Sequence, residues 1–284
     1  MNKKIFFRVV GGIGNQLFIY FTGKALEKQG YEVVFDLKSG FFWDAYGRKP
    51  ILQKLDLVIK KTSWFEVSIF YIVKYITSPI IGFFLKEKTP HTYTDLSGFN
   101  HKLNFIEGYF QSYVYFDRHK KSIIKHLDFD IIDEKEMLNY LELIKKNQSV
   151  CVHIRTIQKS EKTTIEEKNE LLDVNYYNEA IDDLKTKIGK NVVFFVFARD
   201  INWAKQNLNK GFNYIFIEPS IRNDLQEFIL MTQCKYFILA NSTFSWWAAY
   251  ISGSQQVIYK NHANMKIGIT DNYFPSKWNE FQSK

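Results

Sequence analysis

The sequence contains few of the residues that stabilise secreted, disulfide-bonded proteins. Its 284 residues include only two cysteines, Cys151 and Cys234, and five prolines. Two cysteines cannot form a disulfide framework for a chain of this length, and each lies in an apolar run, where a buried free thiol is common. We therefore expect two free thiols and a reducing compartment.

The sequence also has no long basic tract, low-complexity linker or internal repeat. Its formal net charge is +8, but the 38 lysines and arginines are scattered in short pairs such as Lys60-Lys61 and Lys120-Lys121. A positive field attracts anions in general, including nucleotide diphosphates and anionic lipids. Because no nucleic-acid-binding signature accompanies the charge, we do not expect a nucleic-acid partner.

Neither a signal peptide nor a membrane span is expected. The apolar run at the N-terminus ends after six residues and contains Arg8, which favours a first strand. The segment 64–85 is apolar but contains Glu66, Lys74 and Pro79, so it predicts one or two buried or interfacial helices. We expect a cytoplasmic protein for which loose peripheral contact with the inner face of a membrane is plausible.

The order of apolar segments predicts an α/β protein. The chain opens with a strand at 5–10, a glycine turn, a helix at 15–29 and a strand at 31–35. From residue 149 the alternation returns, with the boundary between two domains near 145–148. Strands are predicted at 149–154, 192–197, 214–218, 236–240 and 256–259, and helices at 175–188, 200–208, 224–234 and 245–252.

Three stretches that follow predicted strands are candidates for ligand binding, because parallel α/β sheets bind ligands beyond the carboxyl ends of their strands. The first is the turn GGIGNQ, which brings Gly14 and Asn15 to a helix start. It matches neither a Walker loop nor a dinucleotide fingerprint, since Leu17 stands where a third glycine belongs. A purely structural turn is the alternative.

The second stretch is His153-Ile154-Arg155. Alternate residues of a strand face the same side, so the imidazole and the guanidinium point together, and arginine binds diphosphate oxygens bidentately. A structural salt bridge is the alternative role for Arg155. The third stretch, from Asn241 to Ser245, enters a helix whose N-terminus suits a phosphate. Its alternative is an ordinary cap by Ser242, Thr243 or Ser245.

Taken in order, these stretches resemble the α1,2-fucosyltransferase family, glycosyltransferase family 11, of the type that assembles bacterial O-antigens. The similarity runs from residue 8 to about 252, apart from the unfamiliar region 40–105. It rests on the strings GGIGNQLFIYFTGKAL, EGYFQSYVYF, VCVHIR, FFVFARDINWAKQNL and DLQEFILMTQCKYFILANSTFSWWAAYI.

The resemblance implies a GT-B-like fold of two Rossmann-type, doubly wound domains facing a cleft. An N-terminal domain, 1–147, would serve the acceptor, and a C-terminal domain, 148–284, would bind the nucleotide sugar. The implied activity is an inverting transfer of L-fucose from GDP-fucose to a galactoside hydroxyl of a glycan. Alternatives are another GDP-sugar, another fucosyl linkage, or a non-catalytic protein that binds anionic ligands.

The resemblance also assigns roles to individual residues. Arg155 would neutralise the departing GDP, and Asn15 would lie near the sugar as the second catalytic residue. Glu227 stands where relatives place a carboxylate that reads guanine. The remaining donor-binding residues would be Gly14, His153, Ser242, Thr243, Phe244 and Ser245.

The chain departs from the family pattern His-x-Arg-Arg-x-Asp, because Thr156 and Gln158 replace the second arginine and the acid. One phosphate-binding cation and one candidate general base are therefore absent. The leaving phosphate itself, or one of Glu161, Asp173 and Asp200, would take the proton. The string Asp128-Phe129-Asp130 resembles a metal motif but lies outside the matching stretches, so we predict no metal and no cofactor.

Overall fold

The computed structural model describes residues 3–44, 46–55, 59–76, 83–88, 92–96, 103–125, 132, 134–155, 171–189, 191–218, 224–260 and 272–282. The chain forms two compact units, each built around one parallel sheet. The first comprises Met1–Asp128 and Ile267–Pro275, and the second Phe129–Lys266 and Ser276–Lys284. The expected α/β class with two Rossmann-type sheets is confirmed.

The first unit contains a four-stranded sheet in the order β2-β1-β4-β3, with every neighbouring pair parallel. Phe6 of β1 lies in register between Val34 of β2 and Phe105 of β4, and these three form a small buried cluster. The elements are β1 (Lys4–Arg8), α1 (Ile13–Lys28), β2 (Glu32–Asp36), α2 (Trp64–Ile76), β3 (Phe83–Lys86), β4 (Leu103–Glu107) and α3 (Lys120–Ile124).

The second unit contains a six-stranded, fully parallel sheet in the order β7-β6-β5-β8-β9-β10. All seven residues of β6 are buried, as expected for a strand covered on both faces. The elements are α4 (Lys135–Lys146), β5 (Gln148–Ile154), α5 (Val174–Ile188), β6 (Val192–Ala198), α6 (Ile201–Asn207), β7 (Tyr214–Phe216), α7 (Asp224–Thr232), β8 (Tyr236–Ile238), α8 (Thr243–Ser252), β9 (Val257–Tyr259) and β10 (Asn279–Glu280).

The strand order reverses direction in each sheet, and the reversal determines where ligands can bind. In the second sheet the chain moves outward from β5 to β6 and β7, then returns to the other side of β5 with β8. In the first sheet, β1 has β2 on one side and β4 on the other. At such a point the loops that follow the two central strands diverge and leave a crevice at their carboxyl ends.

The strands and helices predicted at 5–35 and from 149 onward are confirmed, with ends shifted by at most two residues. The predicted boundary at 147 and 148 separates the two sheets. The helix just before it, α4, belongs to the second unit by its contacts, and Gln226 of α7 donates to Glu134 at its start (3.1 Å).

The prediction for 64–85 is correct for α2 and wrong for 83–86, which form β3. The edge of β4 offers these residues parallel backbone partners, and such long-range pairing leaves no trace in a local pattern.

In the part of the chain that is described, no helix combines the length and the apolar character needed to cross a bilayer.

A close backbone approach joins the end of β1 to the loop after β2. A Cβ atom on Gly40 would lie 1.9 Å from the carbonyl oxygen of Val9, a distance that the backbone must move to relieve. The neighbouring Ser39 accepts a hydrogen bond from Arg8 Nε (3.1 Å), so the loop is held against the strand end. Only glycine fits at residue 40.

We expect Gly40→Ala to lower the free energy of unfolding by about 3 kcal/mol, because an overpacked methyl group displaces the backbone. Gly12→Ala is the control, since a Cβ atom at residue 12 would meet no other atom within 4 Å. Its cost should be about 1 kcal/mol or less, that of a poorer helix N-cap. Denaturant unfolding measures both variants, and equal losses would contradict the close contact at Gly40.

Candidate functional site

The strand order of the second sheet brings two of the predicted stretches together. Because β5 and β8 pair directly, Arg155 and Asn241 lie at adjacent carboxyl ends. Arg155 Nη1 donates a hydrogen bond to the carbonyl oxygen of Asn241 (3.2 Å). This bond fixes the guanidinium at the crevice, beside the start of α8. This contact involves a backbone carbonyl, so the structural salt bridge considered as an alternative role stays untested.

Arg155 also interacts with a buried tyrosine of the same unit, Tyr177. The buried hydroxyl of Tyr177 on α5 has a raised pKa because of its burial, while the backbone N–H and the charge of Arg155 act in the opposite direction. The phenol therefore stays neutral and sits beside the arginine.

His153, Phe244 and Phe228 form a short row of rings next to Arg155. The imidazole centroid lies 5.9 Å from that of Phe244, which lies 5.5 Å from Phe228. Glu227 precedes Phe228 on α7, and its charge contributes to the raised pKa of the buried Cys151 thiol, after burial and the neighbouring Cys234. Cys151 and His153 share one face of β5, so Glu227 belongs to the same neighbourhood as the histidine.

The three hydroxyl side chains at the start of α8, those of Ser242, Thr243 and Ser245, have different surroundings. Ser242 is the N-cap, and its Oγ accepts a hydrogen bond from the Phe244 N–H (3.2 Å). The capping alternative therefore holds for Ser242. Thr243 and Ser245 are not required for that bond, and Ser245 is fully buried with its Oγ 3.4 Å from the Ser242 carbonyl. The helix is anchored by Trp246 and Trp247, both buried.

Asn241 contributes a further polar group. Its Nδ2 is a buried donor that meets no hydrogen-bond acceptor among the described residues. A buried donor left without an acceptor costs about 1–3 kcal/mol. At the end of β8, next to Arg155 and the N-terminus of α8, this donor suits an anionic or carbonyl-bearing ligand.

The corresponding point of the first sheet brings Asn15 and Gln111 together. Asn15 follows β1 in the first turn of α1, beside the buried Gly14, and Gln111 follows β4. Gln111 Nε2 donates to Asn15 Oδ1 (2.7 Å), and Gln111 itself is buried. Sequence reasoning missed Gln111 as a site residue, although it stands inside the string EGYFQSYVYF.

Glu87 supports the turn that presents Gln111. Its carboxylate accepts hydrogen bonds from the backbone N–H groups of Tyr109 (2.7 Å) and Phe110 (3.1 Å). Phe110 has a φ of 52°, which is uncommon for a bulky residue and costs conformational energy. Burial raises the pKa of Glu87, and the two N–H donors only partly oppose that rise. Glu87 lies in the unfamiliar region, so no sequence signal revealed it.

Gln16, the neighbour of Asn15, has a structural role. Its amide nitrogen donates to the carbonyls of Gly11 and Lys49, both at 2.9 Å, and its oxygen accepts from the Ile51 N–H (2.8 Å). The side chain is buried and joins the glycine turn to the loop at 49–51. The turn is thus structurally anchored, while Asn15 remains available at its edge.

The candidate bases, the replaced family positions and the Asp-Phe-Asp string differ in whether the structure describes them. Asp173 and Asp200 are N-caps, accepting from Asn175 N (2.5 Å) and Trp203 N (2.9 Å) respectively. Thr156, Gln158, Glu161, Asp128 and Asp130 lie outside the described residues. Among the described residues, no group of three or more His, Cys, Asp or Glu side chains could hold a metal ion. Metal independence and the functional roles of the site residues stay predictions.

Comparison with known proteins gives a consistent set of relatives. The family model for Glycosyl transferase family 11 matches residues 67–282. The chain is 31% identical to an alpha-1,2-colitosyltransferase of Escherichia coli, covering 96% of this chain and 91% of that protein. It is 26% identical to the O-antigen biosynthesis glycosyltransferase WbnK of Escherichia coli, covering 85% and 88%.

More distant similarities extend to animals and to a solved structure. A galactoside 2-alpha-L-fucosyltransferase, SEC1 of Bos taurus, is 24% identical over 55% of this chain and 44% of its own length. The fucosyltransferase NodZ from Bradyrhizobium has a similar fold, with a TM-score of 0.50 at 13% identity, covering 93% of this chain and 96% of that chain.

The raised pKa of Glu87 leads to a prediction about stability. The native state holds the Glu87 proton more tightly than the unfolded chain does, whose glutamate pKa is about 4.3. The stabilisation is complete below that value and is lost as pH rises through the higher native pKa. The free energy of unfolding of wild type, relative to Glu87→Gln, should therefore fall as pH rises above about 4.3.

Glu66→Gln provides a control of opposite sign. Burial alone would raise the pKa of Glu66, but contacts with Lys4 and Ser63 lower it overall. Wild type should therefore gain stability over Glu66→Gln as pH rises toward about 4.3, and lose that gain in acid. Parallel pH profiles for the Glu87→Gln and Glu66→Gln pairs would contradict the assignment of Glu87 as a buried carboxyl.

Proposed function

Because the chain belongs to glycosyltransferase family 11, we propose that it transfers L-fucose from GDP-fucose to a galactoside hydroxyl of a glycan, forming an α1,2 linkage. Family membership establishes a glycosyltransferase. The sugar, the linkage and the acceptor are the parts proposed. The α1,2 linkage is supported by the names of the colitosyltransferase and of several galactoside fucosyltransferases among the relatives.

The observation that carries the proposal is the meeting of Arg155 with the N-terminus of α8. The guanidinium bonds the carbonyl of Asn241, one residue before the N-cap Ser242. A fixed cation and the positive end of a helix dipole then face the same crevice. Two such features at one strand-order reversal suit a diphosphate, which carries its charge over several oxygens.

The chemistry follows from charge development at the sugar. The bond between the anomeric carbon and the β-phosphate oxygen breaks, and GDP leaves with the electron pair. The acceptor hydroxyl forms the new bond from the opposite face, so the configuration inverts, and its proton passes to a base. Stabilising the charge on the leaving diphosphate is the largest contribution available to the protein, and Arg155 with α8 would supply it.

The remaining residues take supporting roles in this proposal. Glu227 would accept hydrogen bonds from the guanine N–H groups, since a carboxylate matches two adjacent donors. His153 and Phe244 would contact the nucleotide. Gly14 would let the donor approach the backbone, Thr243 would hold phosphate, and the fully buried Ser245 would support the start of α8 from inside. Asn15, oriented by Gln111, would contact the sugar. The proton would pass to the leaving phosphate or to Glu161, because the other two candidate bases, Asp173 and Asp200, cap helices.

A second donor is favoured by a specific comparison. The E. coli relative at 31% identity is named as a colitosyltransferase, so a GDP-linked sugar other than fucose is the principal alternative. Another fucosyl linkage is a further alternative, and a non-catalytic anion-binding protein is the most distant. We further propose that the reaction needs no metal ion, and that the protein works in the cytoplasm in peripheral contact with a membrane.

The first test is nucleoside diphosphate release with and without β-galactoside acceptors, measured as GDP from GDP-fucose, GDP-colitose and GDP-mannose, and as UDP from UDP-galactose. We expect acceptor-stimulated release from GDP-fucose that persists in excess EDTA, followed by linkage analysis of the product. Stimulated release from GDP-colitose alone would transfer the proposal to that sugar. Activity lost in EDTA and restored by Mn²⁺ or Mg²⁺ would disprove metal independence.

A second test concerns Arg155. We expect Arg155→Ala to lower kcat at least about a hundredfold, the scale for removing one donor to a developing oxyanion. Lys187→Ala is the control, because it removes an exposed cation of the same unit that pairs with Asp183 on α5, away from the carboxyl ends of the strands. It should retain near-normal turnover. A folded Arg155→Ala protein with normal turnover would remove Arg155 from the mechanism.

A further inference from the structure

The first unit exposes a cluster of large aromatic side chains that its core does not use. Trp43 is 91% exposed and Phe65 is 74% exposed, although both are among the most apolar side chains. They lie on two segments, the loop after β2 and the start of α2. We call this group the aromatic surface, and it consists of Phe42, Trp43, Tyr46, Trp64 and Phe65.

Contacts between the two segments join three of the five rings. The rings of Phe42 and Trp64 stack with centroids 5.5 Å apart, and Phe42 also touches Trp43 at 6.2 Å. Tyr46 and Phe65 lie close by in sequence and are exposed as well. Isolated exposed apolar residues are ordinary on protein surfaces, whereas a cluster of exposed aromatic rings marks a site of interaction.

The loop that presents Trp43 has a defined local structure. The side chain of Asp44 accepts hydrogen bonds from the backbone N–H groups of Tyr46 and Arg48, both at 3.0 Å. Gly47, with a φ of 63°, supplies the left-handed residue that this turn requires. Trp43 and Tyr46 are therefore held outward by a built turn.

Cationic side chains accompany the rings. Lys38 Nζ lies 4.6 Å from the centroid of Trp64, and Arg48 Cζ lies 4.2 Å from that of Tyr46. Between residues 38 and 66 the sequence has six lysines and arginines against three acids. Two of those acids are neutralised, Asp44 by Arg48 and Glu66 by Lys4.

The outward face of α2 extends the apolar character. Phe65, Ser68 and Ile72 are exposed at helical spacing, while Val67 is buried and Ile69 packs on the core. Residues i, i+3 and i+7 lie on one side of a helix. The described part of the helix thus carries two exposed apolar side chains, Phe65 and Ile72, on the side opposite its contacts with the sheet.

We propose that the aromatic surface binds an anionic phospholipid membrane, with its rings at the level of the lipid headgroups. Tryptophan and tyrosine prefer the boundary between headgroups and acyl chains, where an amphipathic ring satisfies both environments. Neighbouring lysines and arginines gain from the negative potential of anionic lipids. This names the surface for the peripheral contact proposed above, and it does not depend on the identity of the donor or acceptor.

The test is co-sedimentation of the full chain with phosphatidylcholine vesicles that contain or lack phosphatidylglycerol. We expect binding that requires phosphatidylglycerol, weakens in high salt, and falls at least about tenfold in the double variant Trp43→Ala/Phe65→Ala. The matched control is Leu138→Ala/Leu143→Ala, which removes two exposed apolar side chains from α4 in the second unit. The control should bind vesicles as wild type does.

Two further measurements distinguish membrane binding at the aromatic surface from binding of a sugar or of a second copy of the chain, and from the proposed transferase activity. GDP release with a soluble acceptor should be unchanged in Trp43→Ala/Phe65→Ala, and the wild-type mass in solution should be that of a monomer. A raised KM for the soluble acceptor would identify a sugar-binding surface and overturn the proposal. Dimerisation abolished by the same variant would identify a second copy as the partner, and equal vesicle binding by all three proteins would also overturn it.

Discussion

The direct parallel pairing of β5 with β8 is the contact on which the candidate site depends. In the described part of the chain these strands are separated in sequence by β6, β7 and three helices, yet they register from Val150 with Tyr236 to Val152 with Ile238. That pairing places the residues after β5 next to those after β8, and so brings Arg155 to the start of α8. The first sheet repeats the arrangement, since β1 pairs with β4 and thereby joins Asn15 to Gln111.

Much of this could be predicted from local patterns. The apolar runs located the strands of the second half, and polar residues at their ends indicated His153, Arg155 and the Asn241–Ser245 stretch. The structure adds which strand ends are neighbours, which a parallel sheet decides through long-range pairing. Gln111, Glu87 and β3 were missed for that reason, because their partners lie far along the chain in a region without clear periodicity.

The replacement of a second arginine and an acid by Thr156 and Gln158 gives the remaining groups more weight. In the proposed reaction, the N-terminus of α8 would share the stabilisation of the diphosphate with Arg155. The structure holds the Arg155 guanidinium against the Asn241 carbonyl. A single cation is most effective when it is already in place before the reaction, because reorganisation then costs little.

The anchoring of the loop at 49–51 by Gln16 concerns backbone atoms alone. The amide contacts two carbonyls and one N–H, and none of these contacts depends on which side chains the loop carries. The loop can therefore exchange its residues freely while its attachment to the glycine turn is preserved. The path of the backbone at 49–51 is therefore fixed by Gln16, while the outward side chains of the loop can change without breaking these three hydrogen bonds.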